Sequence, residues 1–344
     1  MVSLTEVKAS NSQVTPATIP QVSVFVGATS GIGKATLTKL VSTGFPLKAY
    51  IIGRDAEAFQ PTLSELRALN PSATLIFLQG EISLMAEVKR LTDVILSREN
   101  GIDLIFLTSG LLPFLSRQET TEGVEVTFAV SVYSRLVFIR CLLPLLRVRA
   151  ADWRATQGLS SSYRPRIVNV LGAGAETAIP FLDDLQLKEP GHFTVPNYFG
   201  HSTTITSVNL KWLAEQAENK DIVIIHAQPG RVSTDLFKKS WGDQWDESKA
   251  QRSPAPADIV NSTPAEAGER SFYLMTSAKY GGNGLQVGEG HEVGLTVEGR
   301  KDGSLLNVSD TLETLNGDLL NSLVESGDAD AIVGYTNRLI GSYL

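Results

Sequence analysis

The sequence predicts an α/β protein, a doubly wound parallel sheet with a C-terminal extension. Three observations predict it. Short apolar, β-branched runs alternate with amphipathic helical segments from Val22 to about Val287, the pattern of successive βαβ units. No long structureless gap interrupts the alternation. The first run, Val22-Ser23-Val24-Phe25-Val26, stops in a glycine-rich turn that opens a helix, Gly27 to Lys34. Such a turn lets a backbone approach a diphosphate, and the free N–H groups of the first helical turn point at it.

The elements follow in order. Lys34–Val41 reads as the first core helix and Leu47–Gly53 as the second strand, ending in Gly53-Arg54-Asp55. Pro61–Asn70 is helical and Ala73–Gln79 is the third strand. Ile82–Glu99 carries Ile82, Val88, Leu91, Val94 and Ile95 at helical period. Gly101 ends it, and Ile102–Leu107 is the fourth strand, followed by Thr108-Ser109-Gly110. Glu122–Arg149 is a long amphipathic helix, with Val124, Phe128, Val132, Leu136, Ile139 and Leu143 along one stripe. The polar stretch Ala150–Arg164 reads as a surface insertion. Arg166–Leu171 is a fifth strand, Tyr198–Asn219 a helix, and Ile222–His226 a sixth strand ending in Gln228-Pro229-Gly230. Polar Arg231–Thr263, with Trp241 and Trp245, reads as a lid. Pro264–Thr276 is helical, and a short strand is expected near Leu285–Val287. The organisation predicted is a polar arm (1–20), one sheet domain (21–288, lid about 231–263) and an extension (289–344) packed on it.

Composition narrows the function. The chain has 344 residues, 42% of them hydrophobic and 19% charged, enough for a large core. Net charge is −7 with no basic cluster, which argues against nucleic acid or an anionic membrane as partner. Both long uncharged stretches, Ala9–Gly33 and Pro190–Leu210, are rich in Ser, Thr, Asn, Gly and Pro and do not suit a bilayer. Met1–Gln21 lacks a basic n-region and an apolar h-region, so no secretory signal is read and a cytoplasmic protein is expected. Cys141, alone, has no internal disulfide partner. His192, His201, His226 and His291 are scattered and form no metal-ligand pattern.

At this point the motifs resemble those of the short-chain dehydrogenases/reductases, over about Val22 to Val287. The family's cofactor turn T-G-x-x-x-G-I-G stands as Val26-Gly27-Ala28-Thr29-Ser30-Gly31-Ile32-Gly33. Its acidic-apolar pair at the adenine stands as Glu81-Ile82, and its N-N-A-G as Leu107-Thr108-Ser109-Gly110. The P-G-x-V-x-T bordering the nicotinamide is intact as Pro229-Gly230-Arg231-Val232-Ser233-Thr234. The resemblance implies a Rossmann-type sheet with a nicotinamide dinucleotide at the strands' carboxyl ends. Arg54 follows the second strand, where a guanidinium accommodates a 2′-phosphate, so NADP is favoured over NAD; Asp55 keeps NAD as the alternative.

The proton-handling positions depart from the family. Ser131 stands for its Asn, and Leu171-Gly172-Ala173 stand where its Ser belongs. Its Tyr-x-x-x-Lys has two registers here. Tyr198 with Ser202 is one; Phe199 with Thr203, inside Phe199-Gly200-His201-Ser202-Thr203, is the other and preferred. Both lack the Lys, and a Tyr without a neighbouring ammonium keeps a pKa near about 10. Tyr198, His201 and Ser202, at i, i+3 and i+4, are candidates for a substitute acid or base, with His192, Asn197, Asp235 and Glu176 as further pocket candidates. The chain also resembles fungal members of the family from specialised-metabolite pathways, including Glu266–Arg270 and the extension. An NADP-dependent carbonyl/alcohol oxidoreductase on a small, apolar substrate is expected. A non-redox cyclase, isomerase or dehydratase and a catalytically inactive binding protein are the alternatives. The family's pairing of long helices implies a homodimer, unless the extension covers that face.

Overall fold

The computed structural model describes residues 1–156, 163–246, 248–249, 261–282, 284–285 and 292–344. His291, Val287 and part of the expected lid and insertion lie outside them. The strands are β1 (Val22–Val26), β2 (Leu47–Gly53), β3 (Ala73–Gln79), β4 (Leu104–Leu107), β5 (Arg166–Val170), β6 (Val223–Ala227), β7 (Arg231–Val232), β8 (Asn261–Ser262) and β9 (Leu305–Val308). Seven of them form one parallel sheet in the order β3-β2-β1-β4-β5-β6-β9, and β7 pairs with β8.

The helices that cover the sheet are α2 (Gly31–Val41), α3 (Ala56–Leu69), α4 (Met85–Leu96), α6 (Ser134–Ala155), α7 (Val195–Ala214) and α9 (Pro264–Thr276). Strand alternation divides the core between two layers. Val22, Val24 and Val26 of β1 face the layer of α4, α6 and α7, whereas Phe25 faces α2, α3 and α9. With both faces covered, β1, β4, β5 and β6 are buried end to end, which is why they read as continuous apolar runs. Before α6 come a short turn α5 (Val126–Phe128) and a π-helical turn, Ala129–Tyr133. By length and composition Val126–Ala155 would suffice to cross a membrane, but 89% of its most apolar window is buried in the protein.

Three expectations are corrected. The polar arm is a helix, α1 (Leu4–Asn11), started by a Ser3/Glu6 capping box and fastened by Asn11 Nδ2 to the Glu269 carbonyl at 2.9 Å. Helix α3 begins at Ala56 rather than Pro61, because the Asp55 carboxylate accepts the Ala58 N–H as its N-cap. Among the described residues the seventh strand of the sheet is β9, drawn from the segment read as extension; of the expected Leu285–Val287 strand only Leu285 is described, and it bridges Ser277. Short apolar runs look alike in sequence, and the choice between them was made by the open edge of β6. Beyond β9, helices α10 (Asp318–Ser326) and α11 (Asp328–Ile340) lie on α7, and α11 also reaches α6 through Arg140 and Asn337. Asn209 Nδ2 bonds Thr336 Oγ1 at 3.1 Å and Gln186 Nε2 bonds Tyr335 at 2.7 Å. A last helix, α8 (Leu236–Trp241), sits over the loop after β4.

Candidate active site

The site begins where β1 stops. Gly27 has φ +92° and Gly31 φ +56°, a region only glycine enters at little cost. A Cβ on Gly27 would lie 2.4 Å from Ser109 N, and one on Gly33 would lie 2.4 Å from the Gly27 carbonyl. The turn is therefore pressed against the end of β4 with no room for side chains. The result is a cavity of about 320 Å³ at the carboxyl ends of the strands. Gly27, Thr29, Ser30, Gly31, Ile32 and Gly33 form one side of it. Arg54, Glu81 and Ile82 close the end over β2 and β3; Ser109, Gly110 and Thr234 close the end over β4. Pro229, Gly230 and Val232 do not line it, although they lead to Thr234.

Two features bear on what this cavity holds. Asp55 caps α3, whereas the exposed Arg54 faces the cavity. Lys239 of α8 also faces it, with Nζ 2.7 Å from Ser30 Oγ. A nicotinamide dinucleotide fits this set: the glycines keep the cradle open and the first turn of α2 offers unpaired N–H groups. The turn would hold the diphosphate, Glu81-Ile82 the adenine, and Ser109, Gly110 and Thr234 the nicotinamide side.

Behind Gly110 lies Arg135, a buried cation that sequence reading missed. Its Nη1 donates to Asn169 Oδ1 and the Val170 carbonyl, both at 2.8 Å, and its Nε to the Ser109 carbonyl at 3.0 Å. Burial pulls the guanidinium down to about 9. An Arg inside the apolar run Ser134–Cys141, four residues after Ser131, was the available signal.

The candidate acid–base residues are not brought together at the cavity. Tyr198 is 2% exposed, and its hydroxyl lies 3.2 Å from the Thr127 carbonyl and 3.5 Å from that of Leu111. Burial pushes it up to about 12, against a smaller lowering by the Ser131 hydroxyl. His201, 0% exposed, turns to the other side, beside Phe181, and burial lowers its pKa. Ser202 Oγ bonds back to the Phe199 carbonyl at 3.3 Å. Helical spacing put the three on one face, but different neighbours receive them. In the preferred register, Phe199 is 41% exposed and Thr203 Oγ1 sits 2.7 Å from where a Gly172 Cβ would stand. Ser131 Oγ accepts the Leu111 N–H at 3.3 Å.

The other candidates have structural partners. His192 stacks on Phe181 and bonds Asp184 at 2.9 Å; Asn197 Nδ2 bonds the His192 carbonyl at 2.8 Å. Asp235 precedes α8 as its N-cap without a capping bond. Glu176 accepts from Ser207 Oγ at 2.5 Å and Asn307 Nδ2 at 2.8 Å. His226 completes that network. Its Nε2 accepts the Gly172 N–H at 3.2 Å, so Nδ1 carries the proton toward Ser207 Oγ, 2.7 Å away. Burial pulls His226 down to about 3. Between about pH 6.5 and 3 the unfolded chain therefore binds a proton that the folded one refuses, and this residue's contribution to stability is lost as the pH is lowered, on the order of 1 kcal/mol per unit. Urea midpoints measured at pH 7 and pH 5 should diverge less in His226→Gln than in wild type; equal divergence would contradict the assignment.

A smaller cavity of about 120 Å³ adjoins the first at Leu111 and Lys239. Leu112, Pro113, Leu115 and Phe193 make it largely apolar. The buried Glu125, also on its wall, caps α5 through Phe128 N at 2.9 Å.

Comparison with known proteins identifies the family. A family profile described as short chain dehydrogenase matches residues 21–157. An oxidoreductase of Emericella nidulans, AN1596, is 33% identical over 81% of this chain and 78% of its own length. The chain belongs to the short-chain dehydrogenase/reductase family. The oxidoreductase lepF of Aspergillus flavus is 38% identical over 69% of this short-chain dehydrogenase/reductase and 64% of its own length. The NADPH-bound carbonyl reductase from chicken fatty liver shares the fold, with a TM-score of 0.54 at 16% identity, over 86% of this chain and 98% of its own.

Proposed function

We propose that this short-chain dehydrogenase/reductase is an NADPH-dependent reductase of a small, apolar carbonyl compound in fungal specialised metabolism. One observation carries the cofactor choice: Asp55 is engaged as the N-cap of α3, leaving Arg54 as the charged side chain at the end of β2 that faces the cavity. A guanidinium there pairs with a 2′-phosphate, whereas a carboxylate would repel it. Fungal oxidoreductase relatives, and a fold shared with an NADPH-bound carbonyl reductase, support the reading. When bound, the cofactor supplies a hydride. The chain's own residues orient it, exclude water with α8, and receive the substrate in the apolar space beside Leu111.

Proton delivery in this proposal does not use a Tyr–Lys pair. Tyr198 is the nearest candidate donor, because its hydroxyl meets the carbonyls of Leu111 and Thr127, two residues of the smaller cavity's wall. His201 is buried beside Phe181 and Ser202 Oγ bonds the Phe199 carbonyl, so neither is assigned as the donor; the non-redox reading, in which the pocket only shapes its substrate, rests on the residues that replace the family's Ser, Tyr and Lys. Transfer of label from the nicotinamide of NADPH to a carbonyl intermediate tests redox chemistry. Conversion of that intermediate without nucleotide would overturn it. Arg54→Ala is expected to weaken NADPH roughly tenfold and NADH little, read by fluorescence titration; equal losses would return the choice to NAD.

The partner we propose is the small molecule, with the protein in the cytoplasm. A homodimer through the outer faces of α6 and α7 would require displacing α10 and α11, which already lie there; we propose that any pairing uses another face.

A further inference from the structure

We propose that Lys239, carried on α8 outside the parallel sheet, is the counter-charge for the dinucleotide's diphosphate. This rests on the nucleotide reading above and adds to it a residue that no motif supplies. Lys239 Nζ lies 2.7 Å from the hydroxyl of Ser30, the residue that precedes the first turn of α2. That turn holds unpaired N–H groups and the positive end of the helix dipole, and it contains no acidic residue. Among the described residues no carboxylate forms an ion pair with Lys239. A lysine held at the positive end of a helix is repelled by it unless an anion lies between them. The cavity lies beside both, lined by Ser30, Gly31 and Lys239.

The lysine is brought there by a docked helix. The Phe114 ring meets Phe237 at 4.9 Å and stacks on Trp241 at 5.2 Å. Ser240 Oγ accepts the Leu112 N–H at 2.9 Å. Residues on both sides of Lys239 are thus tied to the loop after β4, which fixes where its side chain departs. The two cations also divide the cavity. Arg54 follows Gly53, whose added Cβ would meet Thr29, whereas Lys239 stands on Ser30, next to Gly31 and Thr234. The geometry thus gives Arg54 the adenosine end and Lys239 the diphosphate that NADH and NADPH share.

Titration of the full chain with both nucleotides separates the possibilities. Lys239→Met is expected to weaken NADPH and NADH by the same factor, roughly tenfold, and to flatten the dependence of affinity on salt. Lys239→Arg should keep most of the affinity. A loss confined to NADPH would assign Lys239 to the 2′-phosphate and overturn the proposal, as would unchanged affinity for both. Wild-type protein binding neither nucleotide would overturn the nucleotide reading and the clamp together, whereas wild-type binding with an indifferent Lys239→Met overturns the clamp alone. The side chain is exposed, so the variant's melting temperature should match wild type, and the titration then reports binding.

Discussion

Gly27→Ala is expected to cost about 2–5 kcal/mol of stability and to remove measurable NADPH binding. Two effects add. At φ +92° an L-residue is strained by about 1–2 kcal/mol. The new methyl would also stand 2.4 Å from Ser109 N and 2.8 Å from both Ser109 Cα and the Thr108 carbonyl carbon. These are backbone atoms at the end of β4, and no rotamer change relieves them. Overpacking of this kind costs about 1–3 kcal/mol. The relaxation that remains is to lift the β1–α2 turn off the loop after β4, and that moves both walls of the cradle at once. Gly44→Ala is the control, since Gly44 has φ +74° with nothing within 4 Å of its added Cβ. It should show the conformational strain without the collision. Urea midpoints for the two variants, with an NADPH titration of each, read the difference. If Gly27→Ala matched Gly44→Ala in stability and bound NADPH as wild type does, the close approach of turn to β4 would be wrong.

Arg135→Met should destabilise the protein by about 2–4 kcal/mol and weaken the nucleotide as well. Methionine keeps the length and loses every donor. The carbonyls of Ser109 and Val170 and Asn169 Oδ1 would be left in a dry interior without a partner. Against that loss stands the cost of burying the cation, visible in its depressed pKa of about 9. The guanidinium's partners are neutral oxygens, so its removal strands no opposite charge, but each orphaned acceptor costs about 1–3 kcal/mol. Several acceptors outweigh one desolvated cation. Because Arg135 joins the loop after β4 to the end of β5, its loss also frees Ser109 and Gly110 at the cavity wall. A variant with an unchanged or raised urea midpoint would show that desolvation outweighs the hydrogen bonds.

How much was legible in the sequence differs between the two halves of the site. The cradle is local: Gly27, Gly31 and Gly33 act through their own backbone angles and through a helix that begins beside them. Sequence spacing reports such features directly. Residue type favoured Arg54 over Asp55 at the nucleotide, but adjacency in sequence left Asp55 as the alternative. The start of α3 at Ala56 adds what the sequence lacked, that Asp55 is engaged as the N-cap. Tyr198, His201 and Ser202 are the opposite case, because their surroundings are not local. Helical spacing says which residues share a direction and nothing about what waits there; Phe181, Thr127 and Leu111 come from other parts of the chain.

By itself the sequence determined the parallel sheet, its glycine-rich turn and the lack of a Lys four residues after Tyr198 or Phe199, since these depend on residue type and on periods of two and 3.6. The tertiary structure alone decided that Leu305–Val308 closes the sheet, that Arg135 underlies Gly110, and that Lys239 reaches Ser30 from more than two hundred residues away. Those are contacts between distant segments, selected by burial and by which backbone groups lack partners once the sheet has formed. No local pattern encodes them.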